Sequence, residues 1–472
     1  MLSWVSFVTL VIPITSYILY QAVNKAPFLS LSCAITGFVN CPPSNIPIHG
    51  FIADEYEPVK DIFINNFRKG LDVGAGLSVY VDGQQVIDLY GGWRDREKGI
   101  EYTNETIQMV FSSTKALSAI IIAQMVDQGI LDYDEKISTY WPEFAQGNKE
   151  NVTLMDLMRH TAGVGGFDLP LNYSVATDPE RFAQFLAAQP HNFNGTPIHS
   201  YHAISQGWYQ NEILKRVDPT ASTPKQGRTI DDYAHAFNDI YHIEWYLKPD
   251  ATEGPEVIQR IAPYYEMSYV QKMWPTLRTY LDPRIKDKSF VKSLFDKDSM
   301  YTKTLIHPKV DQYEGVINNK KPKYRVIEGP SYSGHSNARS MAKLGAMMAN
   351  KGKAIVNGEP DLFKNPSTFE EATKLLTEFE IDSTLPNIPM VNERGGFLMF
   401  TRDSFNLSDP EAYFEGGCGA GGSLFFYNQK YKIALGYTTN AYYPGGEADV
   451  RTIPIVEAIF EIVKKNKKDM NA

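Results

Sequence analysis

Ser112, Ser113, Thr114 and Lys115 put a hydroxyl and an amine three residues apart. On a helix that is about one turn, so the two side chains share a face. A serine hydroxyl is a poor nucleophile until a base takes its proton. A lysine can be that base if burial or neighbouring cations lower its pKa. A nucleophile in the first turn also gains from the partial positive charge there, which favours a developing oxyanion. The chemistry such a pair would permit is nucleophilic attack by the Ser112 hydroxyl on a carbonyl. The same spacing recurs at Ser222/Lys225, Ser289/Lys292 and Ser340/Lys343, so spacing alone selects nothing. Context separates Ser112: it follows the apolar run IQMVF and opens a long apolar stretch, which draws Lys115 toward the interior.

A second stretch, EGGCGAGGSLFF (Glu415 to Phe426), matches the dinucleotide fingerprint GxGxxG at Gly417, Gly419 and Gly422. That fingerprint needs a helix to follow its glycines. Here SLFFYNQKYKIALGYTT follows, aromatic and branched with a turn at Asn428-Gln429-Lys430, so it reads as a β-hairpin. Dinucleotide binding is set aside.

The elements that must position these residues can be read along the chain. GLSVYVDGQQVIDLYGG (Gly76 to Gly92) is a hairpin about Asp82-Gly83. SSTKALSAIIIAQMVDQG is a helix stopped by Gly129, and VTLMDLMRHTAG is a second helix and turn. Residues 175–350 are partly helical, with ARSMAKLGAMMANKG amphipathic. Strands return in GGFLMFTRD, GSLFFYN and YKIALGYTT, and a helix, VRTIPIVEAIFEIVKK, closes the chain. Strands at both ends with helices between predict one mixed α/β (α+β) domain, residues 47–466. Its antiparallel sheet is built from both termini, with a helical insertion at about 130–350.

Hydrophobic content of 43% and charged content of 21% fit a globular chain with a sizeable core. A net charge of −9 argues against a nucleic-acid partner. Leu2 to Val23 carries no charge and is long enough to cross a bilayer. Residues 1–24 are expected to be a signal peptide or membrane anchor, residues 25–46 a linker and 467–472 a tail. Five N-x-S/T sequons, at Asn104, Asn151, Asn172, Asn194 and Asn406, fit a lumenal or extracellular domain of the secretory pathway. Cys33 and Cys41 are close enough in sequence to form a disulfide, leaving Cys418 over, and no Cys/His cluster suggests a metal site. No cofactor is expected.

TIQMVFSSTKALSAIIIAQMVDQGILDYDEKISTYWPEF resembles the nucleophile segment of the serine β-lactamase-like and penicillin-binding-protein-related hydrolases, nearest to class C β-lactamases, family VIII carboxylesterases and their animal β-lactamase-domain relatives. VTLMDLMRHTAGV, GTPIHSYHAISQGWYQNEILKRV, ARSMAKLGAMMANKG and GAGGSLFFYNQKYKIALGYTTN follow in the family's order, covering residues 50–465. The resemblance implies an antiparallel sheet flanked by terminal helices and packed on a helical region, with the site between. It implies Ser112 as nucleophile, Lys115 as its base partner, and Tyr201 as a proton-sharing residue whose pKa a nearby Lys⁺ would lower. His160 and His202 are expected to be structural.

By the same resemblance Gly417, Cys418 and Gly419 form the third-motif strand, and the N–H groups of Ser112 and Ala420 form the oxyanion hole. Two departures stand out. Gly417 replaces the family's Lys or His, and Ala203 the Asn of its second motif. Both speak against efficient β-lactam or peptidoglycan recognition, and Ala203 is compatible with ester hydrolysis. A weakly active or inactive binding or scaffold protein is the competing expectation. Cys418 falls at a spacer position, with a thiol nucleophile there the lesser alternative. Substrate and oligomeric state are not legible.

Overall fold

The computed structural model describes residues 12–24, 27–36, 38–39, 41, 45–267, 269–284, 286–308, 325–376, 380–385, 389–443 and 448–470. Three strands from the first part of the chain, β1 (Ile48–Ile52), β2 (Gly74–Val81) and β3 (Gln84–Asp95), join four from its end, β4 (Leu398–Thr401), β5 (Tyr413–Gly419), β6 (Ser423–Asn428) and β7 (Ile433–Thr439). They line up as β1-β3-β2-β7-β6-β5-β4, with a short strand, Ile100–Glu101, paired to β3. All pairings in this eight-stranded sheet are antiparallel. The seam between the chain's two ends is β2–β7, where Val79 opposes Leu435 and Leu77 opposes Tyr437.

Each face of the sheet has its own apolar layer. Helices α1 (Glu57–Arg68) and α5 (Ile453–Met470) lie against each other. Val59, Phe63, Ile459 and Phe460 from these helices bury against Leu77, Val79, Leu424 and Leu435. The alternate residues Phe425, Tyr427 and Ala434 belong to the second layer, shared with the helical region. That region includes α2 (Thr114–Asp127), α3 (Gln206–Val217) and α4 (Ala338–Ala349). Period-two alternation on the strands therefore divides one sheet between two cores.

The mixed α/β class, the sheet drawn from both ends and the central helical region stand as read from the sequence. Boundaries differ at the ends. Within the stretch taken as a linker, Leu31–Thr36 is a helix, Cys33 is bonded to Cys41, and Phe28 is buried beside Val73, Met267 and Ala441. The Phe28 N–H donates to Gly70 O, and Arg96 Nη1 donates to the Phe28 carbonyl. A buried aromatic with its backbone satisfied is folded structure, despite the prolines that follow. The final helix starts at Ile453 and runs to Met470, through most of the supposed tail. Among the described residues, no helix is long and apolar enough to cross a membrane; residues 1–11 of the leader lie outside them.

Candidate active site

Ser112 sits in a single 3₁₀ turn, Phe111–Ser113, directly before α2. Phe111 has φ +45°, a left-handed conformation unusual for a bulky residue. Its surroundings over-determine that conformation. The Phe111 ring packs against Tyr264 at 5.2 Å and edge-on to Tyr442 at 5.5 Å. Its carbonyl accepts from Thr114 Oγ1 at 2.5 Å, and Tyr264 donates to the carbonyl of Met109. The turn throws the Ser112 side chain out of the core, where it is half-buried.

α2 is apolar nearly all round and buried, which fits a helix enclosed by protein. Lys115 is carried inward with it and is only 7% exposed. Its Nζ donates to Ala203 O at 2.7 Å and Ser331 O at 2.9 Å, and lies 3.5 Å from Ser112 Oγ. No salt bridge to a carboxylate is found for it among the described residues. Burial pushes its pKa well below the ordinary lysine range, because desolvation penalises the charged form. A neutral amine has two N–H bonds, matching the two carbonyls, and one lone pair. In that form the lone pair would face Ser112 Oγ, to which Nζ is otherwise a donor.

Tyr201 is buried, with the Ser112 side chain acting on its hydroxyl. Lys115 Nζ stands 4.8 Å from its ring centroid. The expectation of an acidified phenol is corrected here: burial raises the Tyr201 pKa, outweighing the Ser112 hydrogen bond. Burial thus favours the neutral phenol.

Neither neighbouring histidine is oriented as a base for Ser112. His202 Nδ1 meets the Ser200 carbonyl and its Nε2 accepts from the Val164 N–H at 3.3 Å. Burial lowers its pKa to about 3. His160 Nδ1 accepts from the His202 N–H at 3.2 Å, and its ring supports that of Tyr201 edge-on at 4.9 Å.

β5 brings the third-motif residues to the same turn. A Cβ on Gly417 would stand 3.6 Å from Ser112 O and 3.7 Å from Ser113 Cα, ordinary contact distances. Gly419 has no such room: a Cβ would fall 2.1 Å from Val110 O. Ser423 Oγ also donates to Val110 O, at 2.6 Å, and lies 3.1 Å from Ser113 Oγ. Cys418 points the other way, into the apolar layer with Phe414 and Leu424. A buried thiol in apolar surroundings is a weak candidate nucleophile. Ala420 begins the turn between β5 and β6, partly buried against the helical core.

Three positioning groups were not singled out from the sequence. Arg451 is wholly buried; its Nη2 donates to Gly421 O at 2.5 Å and its Nη1 to Ala441 O at 2.8 Å. Asp72 and Asp449 pair with it at 3.2 and 2.5 Å. A Cβ on Gly422 would lie 2.0 Å from Arg451 Nη2, so the guanidinium fills the space this glycine leaves beneath the turn. Asp382, also buried, accepts from the Tyr201 N–H at 2.6 Å and pairs with His199 Nδ1 at 2.9 Å. Ser331 supplies a carbonyl to Lys115 and accepts from the Gly207 N–H at 2.7 Å. The signal for this last group was present in GPSYSGHS, a run of small residues just before α4.

Of the sequons, Asn151, Asn172, Asn194 and Asn406 are exposed and Asn104 is half-buried. Among the described residues, no group of three or more His, Cys, Asp or Glu could hold a metal ion.

Comparison with known proteins places this geometry. A family profile described as Beta-lactamase matches residues 63–235. The esterase/beta-lactamase LipL of Mycobacterium tuberculosis is 33% identical over 144 residues, 30% of this chain and 33% of that protein. The chain thus spans about a third of the length of that curated relative. Among solved structures, a family VIII carboxylesterase is 23% identical with a TM-score of 0.71, covering 88% of this chain and 100% of that one. A penicillin-binding protein homologue from Caulobacter crescentus is 24% identical with a TM-score of 0.68 and the same coverage. A turn-borne serine, a buried lysine one helical turn on, and a glycine-lined strand beside them sit on the fold these proteins share. The chain thus carries a Beta-lactamase profile over residues 63–235 and shares its fold with these esterase and penicillin-binding-protein structures.

Proposed function

We propose that this protein is a serine hydrolase that cleaves an ester or amide through an acyl-enzyme on Ser112. The observation that carries the reading is the Lys115 amine, held by two carbonyls and facing Ser112 Oγ at 3.5 Å. In the first step the lone pair of Lys115 takes the Ser112 proton as Oγ bonds to the substrate carbonyl carbon. The carbonyl π electrons move to oxygen, and the N–H groups of Ser112 and Ala420 receive that oxyanion. Collapse of the intermediate breaks the bond to the leaving group. Tyr201, as a neutral phenol, passes a proton to that group and is replenished from the Lys115 ammonium. Water then repeats the sequence on the acyl-enzyme, with Lys115 again as base, releasing the acid and free Ser112.

Gly417 shapes the substrate class. With no lysine or histidine there, a carboxylate beside the scissile bond finds no cation from this strand, so neutral esters suit the site better than β-lactams or peptidoglycan stems. The same glycine motivates the competing reading, a binding or scaffold protein on a retained fold. Labelling with a fluorophosphonate decides between them: the native protein should label, and Ser112→Ala should not. Absence of label on folded native protein sinks the hydrolase. The Cys33–Cys41 bond and four exposed sequons support a secretory-pathway location. A mass loss on deglycosylation of protein expressed in animal cells would test it.

A further inference from the structure

The helix Tyr269–Leu281 wears its apolar face outward. Met273, Leu277, Tyr280 and Leu281 fall at the i, i+4, i+7, i+8 spacing of one helical stripe, and all four are exposed. Such a stripe normally packs on a core. Here Leu281 is 62% exposed, and nearby Phe295, past the next helix Ser289–Ser293, is 76% exposed. A contiguous exposed apolar face of this kind marks an interaction surface.

Two further observations name the occupant. First, charge: residues 269–298 hold seven Lys or Arg (Lys272, Arg278, Arg284, Lys286, Lys288, Lys292, Lys297) against four Asp (Asp282, Asp287, Asp296, Asp298), in a chain whose net charge is −9. Within and beside this stretch Arg284 pairs with Asp282, Lys297 with Asp298 and Lys272 with Glu266, while Arg278, Lys286, Lys288 and Lys292 add to the basic excess. Second, continuity: the helix Ile12–Asn24 lies against Tyr269–Leu281, and its Ile14, Tyr17 and Tyr20 are also about half exposed. That helix belongs to the uncharged run Leu2 to Val23.

We infer that the Tyr269–Leu281 helix and the adjoining Ser289–Lys297 segment form a membrane-surface contact that lies in the headgroup region of an anionic bilayer. Apolar side chains on one face with basic residues around them are the composition of an interfacial helix. Lysines and arginines add attraction to anionic lipid that salt weakens. The contact adjoins the Ile12–Asn24 helix, but its own apolar stripe and basic residues lie far along the chain and can be substituted apart from that helix. It is also independent of the hydrolase reading.

The test uses the full chain carrying a single environment-sensitive dye at Leu281→Cys, with Glu370→Cys as an exposed control on another helix. The native cysteines are a disulfide and a buried thiol, so an added cysteine takes the label. Phosphatidylcholine vesicles with about 30% phosphatidylserine should blue-shift the dye at position 281 but not at 370, and brominated acyl chains should quench it. Leu277→Asp with Leu281→Asp should weaken vesicle binding by about tenfold or more without changing the melting temperature, since both side chains face solvent. A dye at 281 that stays in water on vesicle-bound protein overturns the inference, as does a chain that does not bind vesicles. A blue shift without lipid that grows with protein concentration overturns it in favour of self-association.

Discussion

Lys115 and Arg451 are two buried basic side chains, and their surroundings make opposite things of them. Lys115 meets two backbone carbonyls, and burial drives its pKa down. Arg451 meets Asp72 and Asp449, whose charges outweigh its desolvation and drive its pKa further up. Carbonyl dipoles orient an amine without compensating its charge, so the amine stays basic and reactive. Carboxylates fix a charge permanently, so the arginine is a structural pin under the turn that carries Ala420. A third buried cation separates geometry from charge. Lys149 donates to the carbonyls of Gln146, Ala187 and Gln189, and burial lowers its pKa to about 8. No hydroxyl is among its hydrogen-bond partners, so depression of a lysine is not by itself a site.

The comparison can be broken most directly at Lys115. Lys115→Met should cut the acylation rate by about 10²–10⁴-fold, the range for losing a general base, while leaving the protein folded. Stopped-flow acylation by a chromogenic ester measures it, and retention of more than a tenth of the rate would show that another base serves Ser112. Arg451→Met should do the reverse. It strands the buried carboxylate of Asp72 and the partly buried one of Asp449 and should cost about 3–5 kcal/mol of unfolding free energy, read by urea titration. A loss below about 1 kcal/mol would mean the pair is not holding the turn.

Next in size is pH dependence. The reactive form of Lys115 is the free amine, so kcat/KM should fall on acidification as the lysine gains a proton. It should hold on the alkaline side, because Tyr201 is raised. A rate that instead rises on acidification contradicts the assignment of the base. The smallest effect belongs to Lys149. Unfolded, this lysine titrates near its ordinary 10.5, and folded near 8. The unfolded chain therefore binds more protons between those values, and Lys149 favours folding increasingly as pH rises through that window. Lys149→Met should flatten that slope in denaturation curves and leave activity unchanged.

The parts of this architecture that were legible from sequence are those written in local patterns. The hairpin about Asp82-Gly83, the helix after Ser112 and the β6–β7 hairpin each announce themselves by periodicity and turn residues. Ser112 and Lys115 were visible because one helical turn is a local distance. Tyr201 and the Gly417 strand needed family resemblance, since nothing local ties them to Ser112. Asp382, Ser331 and Arg451 were missed because each acts through a backbone group brought near only by the fold. The phenol's protonation was misjudged for a related reason: burial of Tyr201 is a property of the packed site, and it outweighs what its neighbours' charges suggest.

The closing of the sheet has a consequence for the life of the chain. The Gly74 N–H reaches the Asn440 side chain across 366 residues, and β2 cannot pair with β7 until both have been made. During synthesis the serine and lysine emerge early, while the strand that must face them arrives almost last. Under the proposed mechanism, a nascent or truncated polypeptide would carry Ser112 without the Ala420 N–H that receives the oxyanion, and reactivity would be withheld until translation is nearly complete.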